Sequence, residues 1–202
     1  MGKPRLLDLE NHFAFYGAYH SNPINILIHT LFVWPIFFTS LILFYFTPAF
    51  CDLSQSGIVH SGFNYALVLN YGSAFSIFLG LFYVVLDKKA GSLAALLCLA
   101  CWVGASFIAA KLGYSLAWKV VLVSQLLCWT GQFLGHGIFE KRAPALLDNL
   151  VQALLMAPFF VLLEVLQSLF GYEPYPGFQM RVNAKIKAEI KEWQDKKQKK
   201  VS

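Results

Sequence analysis

Long uncharged stretches constrain the fold of this chain more than any other feature. Four runs without Asp, Glu, Lys or Arg, at positions 26–46, 65–86, 92–110 and 120–139, contain 19 to 22 residues each. A helix needs roughly 20 apolar residues to cross a bilayer core about 30 Å thick, so each run is long enough to span a membrane. We therefore predict an all-α fold, a polytopic membrane helix bundle with four spans.

A fifth apolar stretch, at 145–170, contains Asp148, Glu164 and Pro158. Proline removes a backbone donor and breaks or kinks a helix. The stretch is therefore either a bent span or a helical hairpin folded about Ala157 and Pro158. We favour the hairpin.

Composition and charge agree with a membrane protein. Apolar residues make up 57% of the chain and charged residues 13%, whereas soluble domains carry roughly 25% charged residues. The net charge of +5 belongs to residues 179–202, which contain eight basic and three acidic residues. Because the rest of the chain is neutral, we expect no nucleic-acid partner and expect contact with membrane lipids.

The basic residues also predict an orientation, since Lys and Arg in short loops favour the cytosolic side. Clusters precede the first run, separate the second from the third, follow the fourth and fill the tail. They all fall on the cytosolic side if both termini are cytosolic and the fifth stretch is a hairpin. The loop at 47–64 and the turn at 111–115 then face the lumen.

The basic tail is predicted to be distinct from the rest. We divide the chain into a single membrane-embedded catalytic domain at 1–178 and a basic amphipathic cytosolic tail at 179–202. The spacing of four apolar residues in the tail predicts that they share one face of a helix: Val182, Ile186, Ile190 and Trp193. Such a helix either lies on an anionic membrane surface or is a charged helix that only solubilises the chain. Lys199 and Lys200 resemble the dilysine retrieval signal of endoplasmic-reticulum membrane proteins.

Three of the five histidines are predicted to meet at one membrane interface. His29 begins the first span and His136 ends the fourth, at the same depth. His20 lies on the apolar face of a short amphipathic segment before Asn22-Pro23, and the residue before a proline is pushed out of the helical region. A reversal there can fold His20 over His29, which predicts a metal site. The alternative is that each imidazole is a hydrogen-bonded structural residue.

Several polar residues accompany His136. Glu140 follows it by four residues and shares its helix face, so one metal ion can be bound by both. Gln132 lies one turn earlier and can orient the imidazole ring. Glu140 alternatively pairs with Lys141 or Arg142.

Two further polar residues, Asp148 and Asn149, open the fifth stretch. Polar groups inside an apolar run are costly, which makes both candidates for a functional site. Helix capping by Asp148 is the alternative explanation.

Two stretches of the chain resemble a known family. The first contains LLDL at 6–9, FY at 15–16, YH at 19–20, NP at 22–23 and LIH at 27–29, and the second is GHGIFEKRAPALLDNLVQ at 135–152. Together they are similar to the endoplasmic-reticulum 2-hydroxy fatty acid dioxygenase family, known from fungi. The resemblance covers nearly the whole chain, apart from a variable middle at about 46–119.

The resemblance implies an oxidoreductase with Fe(II) as cofactor. Its activity is the α-oxidation of a long-chain 2-hydroxy fatty acid, formed in phytosphingosine degradation, to an acid one carbon shorter, with O2 as co-substrate. His20, His29 and His136 match histidines of the motifs and become the candidate catalytic metal ligands, with Glu140 as a further candidate. Lys141 or Arg142 would attract the substrate carboxylate. His12 and His60 lie outside the motifs.

Two other functions would use the histidines differently. A di-iron fatty acid hydroxylase or desaturase needs HxxxH and HxxHH boxes, and the five histidines of this chain form neither. The second alternative is a non-enzymatic endoplasmic-reticulum membrane scaffold or adaptor with structural histidines.

Overall fold

The computed structural model describes residues 6–52, 67–144 and 150–199. Apart from a short antiparallel pair, β1 (Cys51–Asp52) and β2 (Val68–Leu69), its regular structure is helical, which confirms the all-α prediction. The helices are α1 (Leu9–Tyr19), α2 (Pro23–Phe44), α3 (Tyr71–Leu86), α4 (Lys88–Leu134), a π-helix (Gly135–Glu140) directly after α4, α5 (Leu150–Phe170) and α6 (Phe178–Lys199).

Two helical stretches in the described part of the chain are long and apolar enough to cross a membrane. They are Pro23–Phe44 and Lys88–Glu140, with mean hydropathy values of 2.1 and 2.2. The second contains the predicted runs 92–110 and 120–139. α3 has 16 residues, fewer than the roughly 20 that a span requires, so the number of crossings stays a prediction.

The long helix α4 is interrupted at Gly113. The backbone angles of this residue, φ 64° and ψ 162°, are not helical, and a positive φ is a conformation that glycine adopts without steric cost. The interruption falls in the predicted 111–115 turn. The third and fourth runs therefore form two helical segments, as their sequence indicated.

The predicted hairpin about Ala157 and Pro158 is wrong, because α5 continues through Pro158 to Phe170. A proline inside a helix costs about 3 kcal/mol. Burial of one large apolar side chain contributes roughly 1.5–3 kcal/mol, and several such side chains surround the proline. At most 1% of each of the following is exposed: Met156, Phe159, Phe160, Val161 and Leu163. Packing of the whole segment therefore outweighs the local cost.

The described residues form two compact units. The first comprises residues up to 29 and from 133 onward, and the second comprises residues 30–132. The predicted division into a domain at 1–178 and a tail at 179–202 stays a prediction. In the structure, α6 begins at Phe178 and belongs to the same unit as α1.

Within the first unit, α6 packs against α1. The rings of Phe178 and Phe13 stack with their centroids 5.9 Å apart, and Val182 is buried. A Cβ atom on Gly17 would lie 2.4 Å from the Cδ1 atom of Ile186, so the glycine permits a close approach of the two helices. The amphipathic helix predicted for the tail is present, and α1 packs against the first part of its apolar face.

Glu10 links α1 to α6 through charged contacts. Its Oε1 atom lies 2.7 Å from Lys185 Nζ, and its Oε2 atom accepts hydrogen bonds from the Tyr175 hydroxyl at 2.6 Å and from Arg181 Nε at 2.9 Å. Hydrogen bonds lower the pKa of Glu10 to about 2. The largest effect comes from Lys185, and Tyr175 and Arg181 add to it, whereas burial of the carboxyl group acts to raise the pKa.

These contacts predict an acid-sensitive stability. A carboxylate with a depressed pKa in the folded state stabilises the protein above its ordinary pKa of 4.5, and that contribution is lost as the pH falls towards about 2. We expect the melting temperature of the wild type to fall more steeply over this range than that of Glu10→Gln, measured by circular dichroism in detergent.

The exposed pair Glu192–Lys196, 2.6 Å apart on α6, provides the control. Exposed pairs contribute roughly 0–1 kcal/mol, so Glu192→Gln should keep the wild-type pH profile. Identical profiles for the wild type and Glu10→Gln would show that the Glu10 contacts do not contribute to stability.

Candidate metal centre

Three histidines from three elements of the first unit lie together. His20 follows the last residue of α1, His29 lies near the start of α2, and His136 is in the π-helix. The ring centroids are 4.3 Å apart for His20 and His29, 4.9 Å for His20 and His136, and 4.8 Å for His29 and His136. The predicted convergence of the three imidazoles is present.

The backbone fixes the orientation of two of these rings. His20 Nδ1 lies 2.8 Å from the carbonyl oxygen of Tyr16, and His29 Nδ1 lies 2.9 Å from that of Asn25. A carbonyl can only accept a hydrogen bond, so each Nδ1 donates and each Nε2 carries a free lone pair. This is the tautomer in which a neutral imidazole binds a metal through Nε2.

Two imidazole nitrogens of this cluster are buried without a hydrogen-bond partner in the described part of the chain. Among the described residues, neither His20 Nε2 nor His136 Nδ1 has a hydrogen-bond partner, although both atoms are buried. The pKa of His20 is lowered well below its ordinary value, mainly by burial and to a smaller extent by the neighbouring His29 and His136. Its ring is therefore neutral at neutral pH. A buried unpaired acceptor costs roughly 1–3 kcal/mol, which a bound cation would offset.

The spacing of the three imidazoles also suits a metal ion. One potential ligand atom from each residue lies within 4.8 Å of the other two. Imidazole nitrogens lie about 2.0–2.1 Å from a bound zinc ion, which separates ligands around such an ion by roughly 3–4 Å. Binding of all three nitrogens to one ion would therefore require them to approach one another by roughly 1–2 Å. The residues present fit a metal centre.

Glu140 connects the π-helix to the loop between α1 and α2. Its Oε2 atom accepts a hydrogen bond from Ser21 Oγ at 2.9 Å, and its Oε1 atom accepts from Asn22 N at 2.7 Å and from Asn25 Nδ2 at 3.2 Å. The pairing with Lys141 or Arg142 weighed from sequence is not among these contacts. Both carboxylate oxygens hold the loop that follows His20, which favours a positioning role over metal ligation.

A close contact between Asn25 and Gly135 was not apparent from sequence. Asn25 is fully buried, and its Nδ2 atom also donates to the Tyr19 carbonyl at 3.3 Å. A Cβ atom on Gly135 would lie 2.4 Å from Asn25 Oδ1. The glycine therefore lets the π-helix approach α2, next to His136. Gly135 opens the second sequence motif and Asn25 lies between two parts of the first, but nothing in their spacing predicted that they touch.

Arg142 contacts the end of α1, the helix that leads to His20. Its guanidinium carbon is 3.5 Å from the centroid of the Tyr19 ring and 5.2 Å from that of Trp193, and Nη1 donates to the Ala18 carbonyl at 2.9 Å. Lys141 is exposed and closes the π-helix, with its backbone N–H directed to the carbonyl of His136. The two basic residues predicted to attract a carboxylate therefore lie beside the histidine cluster.

Comparison with known proteins identifies the family. The family model described as Mpo1-like 2-hydroxy-palmitic acid dioxygenase matches residues 6–169. The chain belongs to the Mpo1-like family. The 2-hydroxy-palmitic acid dioxygenase MPO1 of Saccharomyces cerevisiae is 35% identical over 185 residues, covering 92% of this chain and 91% of the relative. No solved structure matches.

Membership in the Mpo1-like family confirms the resemblance read from the two motifs and favours an enzyme over a scaffold. The matched range contains all three clustered histidines and Glu140. It ends before α6, although α6 packs on the helix that leads to His20.

The remaining predicted residues have separate outcomes. Gln132 is buried in the second unit, and its Nε2 atom has no partner among the described residues. His12 is buried on α1 and does not join the cluster. The other three, Asp148, Asn149 and His60, lie outside the described residues.

Proposed function

We propose that this Mpo1-like chain is an Fe(II)-dependent dioxygenase that shortens long-chain 2-hydroxy fatty acids by one carbon with O2, as in phytosphingosine degradation. The convergence of three buried imidazoles carries the proposal, because it supplies a place for an oxygen-activating metal. The name of the yeast relative supplies the substrate class.

The donor set is compatible with iron. Imidazole ligands suit iron, zinc, copper and nickel, and many non-haem Fe(II) oxygenases hold iron with two histidines and one carboxylate, leaving open positions. Here a third imidazole would take the place of that carboxylate. Bound by His20, His29 and His136, iron would supply the activation of O2. A 2-hydroxy acid carries a carboxylate and a hydroxyl on adjacent carbons, which are two oxygen donors suited to open positions.

The protein groups around the cluster preorganise it. Carbonyls of Tyr16 and Asn25 hold two of the rings, and Glu140 fastens the loop between His20 and α2. The histidines are 3–7% exposed, so the surrounding residues exclude bulk water from their rings. Such supporting contacts orient metal ligands and tune their basicity.

We also propose that the enzyme is a multi-pass protein of the endoplasmic-reticulum membrane with both termini in the cytosol. The two apolar helices and the C-terminal lysines support this location. Because α5 is one continuous helix and not the hairpin assumed for the predicted orientation, a cytosolic C-terminus requires that α5 does not cross the bilayer. On that condition the clusters of Lys and Arg all lie on the cytosolic side. Protease digestion of intact microsomes carrying terminally tagged protein tests it. Protection of either tag would contradict the proposed orientation.

The activity is tested on purified chain in detergent. We expect protein loaded anaerobically with Fe(II) to convert 2-hydroxypalmitic acid and O2 to pentadecanoic acid, detected by mass spectrometry. Chelation should abolish product formation, and Fe(II) should restore it.

Two comparisons make this test specific. Palmitic acid lacks the 2-hydroxyl group and should not be converted. Protein loaded with Zn(II) should form no product, because zinc has no redox chemistry. Absence of product from the iron-loaded protein, or equal turnover without iron, would contradict the proposal.

A further inference from the structure

A cleft of about 490 Å³ lies beside the metal centre in the first unit. Its walls come from the end of the π-helix and the last turns of α6, and the lining residues are Glu140, Lys141, Trp193, Gln194, Lys197 and Gln198. None of these residues belongs to the histidine cluster. The cleft therefore needs an explanation of its own.

The chemistry of the lining favours an anion. Lys141 and Lys197 come from different elements, and neither forms an ion pair within the described residues. Gln194 and Gln198 add amide donors. Glu140 is the acidic lining residue, and both its oxygens already accept hydrogen bonds from Ser21, Asn22 and Asn25. Two lysines and one hydrogen-bonded carboxylate thus line the cleft, which leaves a net charge of +1 that favours an anion, and Lys197 Nζ also lies 5.2 Å from the centroid of the Trp193 ring.

The backbone of Lys141 supports a role for its side chain. Its φ of 52° and ψ of 33° are left-handed, a conformation that costs a residue with a Cβ atom roughly 1–2 kcal/mol. Glycine would close the π-helix without this cost. Residues held in such conformations cluster at binding sites.

The cleft adjoins the metal centre through Glu140 and Lys141. Glu140 lines the cleft and binds the loop that joins His20 to α2, while the Lys141 N–H is directed to the carbonyl of His136. Lys141 therefore follows His136 of the cluster by five residues, about one π-helical turn. Trp193 lines the same cleft, and its ring centroid lies 5.2 Å from Lys197 Nζ, so the methylene groups next to an anion bound by Lys197 would meet the indole ring.

We propose that this cleft is a docking subsite for the carboxylate of a long-chain fatty acid. Lys141 and Lys197 bind the carboxylate, Gln194 and Gln198 donate hydrogen bonds, and Trp193 packs against the first methylenes. The subsite captures the acid outside the buried imidazoles. The inference rests on the proposed function for the identity of the ligand.

Binding to metal-free protein tests the subsite independently of turnover. Equilibrium dialysis with 2-hydroxypalmitic acid should give a Kd about tenfold higher for Lys141→Gln/Lys197→Gln than for the wild type, the size expected for losing charge-assisted hydrogen bonds at an exposed site. In turnover assays, KM should rise by a similar factor while kcat changes by less than about twofold, because docking precedes chemistry.

A matched variant controls for general surface charge. Lys187→Gln/Lys191→Gln removes two exposed lysines of α6 that do not line the cleft, and it should bind the acid like the wild type. The methyl ester of the acid should bind the wild type and the cleft variant equally. An equal loss of acid binding in both double variants, or no loss in the cleft variant, overturns the proposal.

Phosphate probes distinguish the carboxylate from a lipid headgroup. Vesicles containing phosphatidic acid, or inorganic phosphate, should not displace the fatty acid from the wild type at concentrations matching its Kd. Displacement that depends on Lys141 and Lys197 would assign the cleft to phosphate and overturn the proposal. If lysine-dependent acid binding holds without any product, the proposed function fails while the docking subsite stands.

Discussion

Purified His29→Ala protein is expected to lose both bound iron and turnover. His29 supplies one of three imidazoles that the fold brings within 4.8 Å, and removal leaves two ligands for the ion. Loss of a residue that merely supports a ligand lowers metal affinity or activity by about 10–100-fold, so loss of a ligand should exceed 100-fold. Iron content by plasma emission spectrometry and product formation by mass spectrometry measure the two effects.

His20→Ala and His136→Ala should behave like His29→Ala. Combining two substitutions should add little, because residues that act as one unit are not additive. His12→Gln provides the matched control, since His12 is equally buried on α1 but outside the cluster. Full iron content in any of the three cluster variants, or equal iron loss in His12→Gln, would exclude a three-histidine centre.

The second large effect is expected for Gly135→Ala. The added methyl group would lie 2.4 Å from Asn25 Oδ1 and 3.4 Å from Ile28 Cδ1. Asn25 cannot turn away without losing its hydrogen bonds to the Tyr19 carbonyl and to Glu140. Overpacking of this kind costs about 1–3 kcal/mol, and it displaces the residue next to His136. We expect a lower melting temperature and at least a tenfold loss of iron affinity.

Gly137→Ala is the matched control for Gly135→Ala. Gly137 lies two residues further in the same π-helix, and a Cβ atom there would meet nothing within 4 Å. Both substitutions gain roughly 0.5–1 kcal/mol from the lower backbone entropy of alanine. The difference between the two variants therefore isolates the contact with Asn25. Equal melting temperatures and iron affinities would show that the close approach does not support the centre.

In the structure, α6 packs next to the candidate metal centre, which the sequence did not predict. The amphipathic pattern of α6 predicted a helix, and either a membrane surface or solvent next to its apolar face. The first part of this face packs against α1, the helix that leads to His20, since Val182 is buried and Ile186 lies next to Gly17. Lys197, further along α6, lines the cleft beside Glu140. A pattern on one helix shows that a face must be covered, but it does not identify what covers it.

The sequence by itself determined the helical class, the apolar runs that form α2 and α4, the interruption near Gly113 and the three candidate histidines. It predicted four spans, of which the structure shows two apolar helices of sufficient length in the described part of the chain. These features depend on composition over one or two dozen neighbouring residues, and local composition fixes run length and helix breaks. Asn22-Pro23 also predicted the reversal of the chain between α1 and α2 that brings His20 next to His29.

Only the tertiary structure decided that α5 continues through Pro158, that Glu140 holds the loop after His20, and that Gly135 must be small. The hydrogen bonds of Glu140 join residues 115 to 119 positions apart. Such contacts depend on which surfaces meet after folding, and their summed energy can exceed a local preference by several kcal/mol. A sequence pattern indicates only the conformational preference of neighbouring residues. The residues that contact Pro158, Glu140 and Gly135 could therefore be identified only in the folded chain.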